Sequence, residues 1–188
     1  KFQYESLVNI YREVYAKGFH PDLWFHWKGK PLIMAYPSYA KVSDDPAEQK
    51  AIENFFTFRK PFPTGNGKPG PPGVNKFLGH WAWREIHPQS EWYDFDGNFE
   101  QMTVSVSQNN NAEKTVASTD PTCFSRAHCK GKDIITPENI ARGLNFQEQW
   151  DYALEKDPPF IFVTGWNEWG AARMKEFLGV KQPVVFAD

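Results

Sequence analysis

The sequence is short of several things, and each shortage excludes a class of protein. No apolar run exceeds five residues, so nothing approaches the roughly 20 apolar residues of a bilayer-spanning helix. Neither sign of charge dominates: 23 acidic and 21 basic residues give a formal net charge of −2. The basic residues are scattered apart from one group at Arg126 to Lys132, so no nucleic-acid partner is expected. The histidines His20, His26, His80, His87 and His128 show no metal-ligand spacing, and no metal is expected. A Gly-x-Ser-x-Gly nucleophile elbow is missing. The Pro- and Gly-rich stretch from Lys60 to Lys76 lacks the Lys-Ser/Thr ending of a phosphate-binding loop. Cysteine is scarce. Cys123 and Cys129 lie six apart in a loop rich in Pro, Ser and Lys, which suits either a small disulfide, as in an exported protein, or two free thiols.

What the chain does have is aromatic side chains, 16 % of its residues, including eight Trp and sixteen Phe. Many stand beside polar residues, as in Leu23-Trp24-Phe25-His26-Trp27 and Gly79-His80-Trp81-Ala82-Trp83-Arg84, a mixture that suits a large cleft better than a dry core and also fits an aromatic-rich core. At 188 residues the length prior favours one α/β domain over residues 1–188.

The most telling segment is Phe160-Ile161-Phe162-Val163 followed by Thr164-Gly165-Trp166-Asn167-Glu168-Trp169. The first four residues form a buried-strand pattern after Pro158-Pro159. The rest delivers one carboxylate, flanked by two indoles, to the strand's carboxyl end, where parallel sheets collect ligands. Indole faces cover the C–H side of a pyranose, while Asn and Glu bind hydroxyls or move protons. The other reading is a loop carboxylate holding a structural hydrogen bond between core tryptophans.

Elsewhere, Tyr4 to Lys17 has helical spacing of Leu7, Tyr11 and Val14, with Gly18 as the stop. Strands are expected at Pro31–Tyr36, Phe55–Phe58 ending at Arg59, Gly79–Arg84, Met102–Ser107 and Phe160–Val163. A short helix runs from Asp44 through Ile52, another starts at Thr136-Pro137, and a third at Asn145. In the third, Asn145 to Glu148 has capping-box spacing and Phe146, Trp150, Ala153 and Leu154 form the apolar face. Such alternation implies a parallel α/β sheet, and polar residues at nearly every strand exit favour a (β/α)₈ barrel. About five strands are found where a closed barrel needs eight. The expectation is therefore that this chain holds the C-terminal half or more of a barrel, with N-terminal strands outside it.

Glycoside hydrolysis uses two carboxyl groups. Glu168 is the first candidate and Glu85, after Trp81-Ala82-Trp83-Arg84, the second. Arg84 would hold Glu85 ionised, although the two also fit an ordinary surface pair. Glu100 precedes the Met102 strand and so belongs at its wrong end. Asp94 and Asp96 fit either a calcium loop or a polar turn. Trp81, Trp83, Trp166 and Trp169 are candidate stacking faces, and Arg59, His87, Gln89, Gln108, Asn109 and Asn167 candidate hydroxyl binders.

The segment Thr164-Gly165-Trp166-Asn167-Glu168-Trp169 resembles a group of (β/α)₈ carbohydrate-active proteins, glycoside hydrolase families 71 and 99 and their bacterial relatives in polysaccharide-processing clusters. Gly29-Lys30-Pro31-Leu32 and Gln147-Glu148-Gln149-Trp150 look like that group's strand entry and pre-final helix. The resemblance implies a glycoside hydrolase acting on an oligo- or polysaccharide, secreted, periplasmic or on the cell surface, with no cofactor. A carbohydrate-binding protein of the same fold without catalysis is the alternative. The sequence departs from the family 99 pattern after the motif, where Gly170-Ala171-Ala172-Arg173 stands in place of His-Glu and a further acid.

Overall fold

A computed structural model describes residues 2–62, 77–107, 111, 116, 120–164, 174–177 and 180–184. Its contacts fall into two compact units, one of Lys1–Pro61 with Gly79–Trp81, the other of Phe62–Leu78 with Ala82–Asp188.

The first unit opens with helix α1 (Phe2–Ile10), which widens into one π-helical stretch, Tyr11–Tyr15. There the Ala16 N–H reaches the Tyr11 carbonyl at 2.8 Å. The extra residue per turn shifts the helical register, and Tyr15 meets Phe55 and Phe56 at 5.7 and 4.7 Å between ring centres. The short strand β1 (His26–Trp27) pairs antiparallel with β2 (Lys30–Met34). Between them lie Lys28 and Gly29 at φ 52° and 81°, the left-handed pair that a two-residue hairpin requires. Helix α2 (Pro46–Phe55) is capped by Asp45, whose Oδ1 accepts the Ala47 N–H at 2.8 Å, with Pro46 at the first helical position. Strand β3 (Thr57–Phe62) lies parallel to β2, Leu32 opposite Thr57 and Met34 opposite Arg59. Strand β4 (His80–Ala82) completes the order β1-β2-β3-β4. The core of this unit is Leu7, Val8, Ala35, Ala40, Ile52, Phe56 and Phe58.

Two expectations shift here. The helix runs through Phe55, so the strand starts at Thr57 rather than Phe55 and extends past Arg59. The edge-on contacts of Tyr11 and Tyr15 with Phe55 and Phe56 reward leaving both rings in the helix-to-strand corner.

In the second unit β5 (Trp92–Tyr93) forms a hairpin with β6 (Phe99–Ser105). Asp94 builds the turn: its Oδ1 accepts the N–H groups of Asp96 and Asn98 at 2.9 and 2.8 Å. This is the polar turn of the two readings. Because β6 starts at Phe99 to pair with β5, Glu100 lies inside the strand, 2 % exposed, rather than before it. Strands β7 (His128–Cys129) and β8 (Lys132–Asp133) form another hairpin about Lys130 and Gly131, at φ 51° and 70°. The sequence reads as a loop here, and a two-residue strand on each side of the turn is too short to show otherwise. Cys123 and Cys129 are not joined in a disulfide in the structure, which is the second of the two readings of this pair.

Helix α3 (Pro137–Arg142) is capped by the Thr136 hydroxyl accepting the Asn139 N–H at 3.1 Å, and ends at Gly143, φ 60°. Helix α4 (Leu144–Lys156) starts from that same glycine, not from an Asn145 capping box. It ends at Asp157 in the left-handed region, ahead of Pro158-Pro159. Strand β9 (Phe160–Thr164) lies parallel to β6 over five residue pairs, Gln101 opposite Phe160 to Ser105 opposite Thr164. Met102, Val104 and Ala153 are buried between sheet and helix, flanked by Phe99, Phe146, Trp150, Tyr152 and Ile161. The expected apolar face is rotated, for Leu154 is 63 % exposed. The innermost row of α4 is Asn145, Gln149 and Ala153 at i, i+4 spacing. A last antiparallel pair, β10 (Met174–Phe177) and β11 (Val180–Val184), follows.

Candidate functional site

The in-register parallel pairing of β6 and β9 brings both chain exits, at Ser105 and Thr164, to one end of the sheet. In the sequence Gln108 and Asn109 follow the first exit closely, and Trp166, Asn167, Glu168 and Trp169 the second. All six lie outside the described residues.

The end of β6 is held by buried carboxamides. Gln149, wholly enclosed, accepts the Ser105 N–H on its Oε1 at 2.8 Å and the Ser105 hydroxyl at 3.2 Å, and donates to the Glu85 carbonyl at 3.0 Å. Asn145 donates to the carbonyls of Ser105 and Val106 at 3.0 and 3.1 Å. Gln89 donates to the carbonyls of Thr103 and Gln149, both at 3.0 Å. Gln101 pairs with both backbone groups of Ala82, accepting at 3.2 Å and donating at 2.9 Å. Backbone polar groups deprived of water must find partners, and these side chains supply them where the β-ladder stops. Asn145, Gln149 and Gln101 were missed as positioning residues. The available signal was two carboxamides four apart on an otherwise amphipathic helix.

Glu85 is 4 % exposed. Its Oε2 accepts the Trp92 indole N–H at 2.8 Å and the Ser90 N–H at 3.1 Å. It is an internal acceptor tying the segment after β4 to β5. Gln89 is likewise enclosed, at 2 %, and spent on backbone carbonyls. His87 is half-buried: its Nδ1 lies 3.3 Å from Gln89 Oε1, its Nε2 3.9 Å from Glu148 Oε1, and its ring edge-on to Tyr152. Glu148 Oε1 also accepts the Lys130 N–H at 2.8 Å. Burial first, and then the Glu148 carboxylate, raises the Cys129 thiol above its ordinary value, which keeps it protonated and a poor nucleophile at neutral pH. Trp83 is 39 % exposed.

In the first unit Arg59 is 3 % exposed and sits inside β3, not at an exit. Its guanidinium lies 5.7 Å from the centre of the Trp81 ring and donates to the Phe58 carbonyl at 2.7 Å. Trp81 is fully enclosed and meets Trp27 edge-on at 5.8 Å. Both are enclosed where the sheet is covered on its two faces, for Thr57, Phe58 and Arg59 in β3 and His80, Trp81 and Ala82 in β4 are buried in succession. The same unit has an apolar cleft of about 380 Å³ lined by Leu7, Ile10, Ile33, Met34 and Tyr39 among others. Among the described residues its lining holds no carboxylate, so it offers none of the paired acids that glycoside hydrolysis uses.

Among the described residues no three His, Cys, Asp or Glu side chains are grouped to hold a metal ion, and no helix is long and apolar enough to cross a membrane. Set against models of protein families, curated proteins and solved structures, the chain matches none of them.

Proposed function

We propose that this chain is part of a (β/α)₈-type glycoside hydrolase in which Glu168 is the general acid or base, with Trp166, Asn167 and Trp169 as sugar contacts. One observation carries the reading: β6 and β9 run parallel and in register, ending together at Ser105 and Thr164. Ligands of parallel sheets collect at that end, and the Trp-Asn-Glu-Trp sequence follows within a few residues of it. The tying of Ser105 and Val106 to α4 supports it further, since a site works best on a rigid strand exit. No organic cofactor enters, because carboxyl groups and water suffice. A polymeric glycan as substrate goes with action outside the cytoplasm.

The second reading, a carbohydrate-binding protein without catalysis, is favoured by a separate observation. Glu85, the other candidate acid, is enclosed and bonded to Trp92 and Ser90, which leaves Glu168 without a partner carboxyl from that position.

Glu168→Gln separates the two. Reducing-sugar release from a panel of polysaccharides should fall by at least about 10²-fold, with sugar affinity nearly kept. Unchanged release removes Glu168 from the mechanism. No release from the parent chain, together with glycan retention that Trp166→Ala abolishes, selects the binder.

A further inference from the structure

We infer that Thr164 is a specificity-determining residue at the joint exit of β6 and β9, its hydroxyl bonding a glycan hydroxyl directly or through one water. The inference rests on the glycan reading above. Thr164 closes the last pair of the parallel ladder, opposite Ser105, and is 8 % exposed. Buried hydroxyls are ordinarily bonded, and the neighbouring ones are. The Thr103 hydroxyl donates to the Phe162 carbonyl at 3.1 Å, and the Ser105 hydroxyl to Gln149 Oε1 at 3.2 Å. The Thr164 hydroxyl is enclosed as they are, yet it has no hydrogen-bond partner among the described residues.

The strand sets the direction of that side chain. Ile161 packs on the core that β6 shares with α4, and the rings of Phe160 and Phe162 lie 6.3 Å apart. Side chains alternate between the faces of a strand, so Thr164 stands in one row with Phe160 and Phe162, on the face turned away from α4. It is the last of that row, at the end where parallel sheets collect ligands. Packing gives no reason for the hydroxyl. Valine has the same branched shape and suits a strand as well, and it brings no polar atom that burial would penalise. Thr103 and Ser105 spend their hydroxyls inside the fold, whereas Thr164 has one uncommitted. A hydroxyl both donates and accepts, which matches a sugar hydroxyl, itself donor and acceptor. A ligand without the matching group leaves Thr164 unpaired, and so the contact discriminates.

The test compares Thr164→Val and Thr164→Ser with wild type in depletion isotherms on cellulose, chitin, xylan and mannan, with urea titrations alongside. On the polysaccharide that wild type prefers, Thr164→Val should bind about 3–10-fold more weakly, the loss of one uncharged hydrogen bond. Thr164→Ser, which keeps the hydroxyl, should stay within about twofold of wild type. The urea midpoint of Thr164→Val should equal or exceed that of wild type, because no bond inside the fold is removed. The inference fails if Thr164→Val binds as wild type does while wild type binds glycan, an outcome that leaves the glycan reading standing. It fails if the Thr164→Val midpoint falls, which would reveal a partner for the hydroxyl within the fold. It fails also if Thr164→Ser is as weak as Thr164→Val, which would make shape rather than the hydroxyl the cause. Wild type that binds none of the four overturns the glycan reading and this assignment together.

Discussion

Replacing Gln149 by Leu should cost this fold more stability than most single substitutions, and the structure says why. Leucine is close to glutamine in length and volume, so packing between α4 and β6 is largely kept. What goes is the side chain's donation to the Glu85 carbonyl and its acceptance of the Ser105 N–H and hydroxyl. The hydroxyl can turn to another acceptor, but the Ser105 N–H and the Glu85 carbonyl keep their positions in a water-free interior. Each orphaned group costs about 1–3 kcal/mol. Added apolar burial by Leu offsets part of this, so the net loss should be about 2–4 kcal/mol. With a urea slope of about 2 kcal/mol per molar for a chain of this size, the unfolding midpoint should fall by about 1–2 M. Tryptophan fluorescence in a urea titration reads this directly. Gln147→Leu serves as control, because Gln147 is exposed and its side chain donates to Asp151; its change should stay within about 0.5 kcal/mol. A Gln149→Leu protein as stable as wild type would refute the claim that these carboxamides hold the end of β6.

Trp92→Phe keeps an aromatic ring but removes the indole N–H that Glu85 accepts at 2.8 Å. It should destabilise by about 1–3 kcal/mol in the same titration. At the other end of the chain, Arg12 grips both oxygens of Glu48 at 2.7 and 2.6 Å, and the Ser43 hydroxyl adds a third donor. First the Arg12 hydrogen bond and then Ser43 lower the Glu48 carboxyl from 4.5 to about 2. The unfolded chain therefore binds the extra proton first as pH falls, so this stabilisation is complete above about pH 4.5 and lost towards pH 2. Glu48→Gln should flatten that part of the wild-type decline in urea midpoint; parallel curves for the two proteins between pH 5 and pH 2 would refute the assignment.

Where the sequence punctuates its elements with backbone chemistry, they can be read without the structure. Pro158-Pro159 ahead of Phe160, Lys28-Gly29 ahead of Lys30, and Thr136-Pro137 opening α3 are such places, for each restricts φ or supplies a cap locally. Boundaries decided by packing at a distance are harder. Phe55 and Phe56 have strand-like character in isolation, yet Tyr11 and Tyr15, some forty residues earlier, hold them at a corner. The two-residue strands β1, β5, β7 and β8 are too short to show any period. The candidate site suffers from the same limit in sharper form. Residue type marked Arg59, Trp81 and Gln89 as fit for sugar contact and Glu85 for catalysis, but type does not say which face of a strand or loop turns inward. Nor does it say where a strand stops: Trp81 and Trp83 would share a face in one continuous strand, yet the strand ends at Ala82, and the first is fully enclosed while the second is 39 % exposed.

The cost of burying amides bears on the functional reading. An apolar residue at Asn145, Gln89 or Gln101 would pack as well, but the backbone groups of Ser105, Val106, Thr103 and Ala82 would lose their partners. A fully satisfied polar network fixes one arrangement, whereas an apolar contact tolerates small slips. Asn145 donates from its Nδ2 to two successive carbonyls, Ser105 and Val106, which holds the direction of the chain as well as its position. Gln149, four residues on, holds the N–H of the same Ser105. Helix α4 thus grips the last turn of backbone before β6 opens into its loop, on the sheet end that β9 shares. Strand ends with no task fray at little cost. An end clamped at three consecutive polar groups is what a site needs when its ligands must be met within about half an ångström, and that is the ground for seeking the chemistry of this chain at the joint exit of β6 and β9.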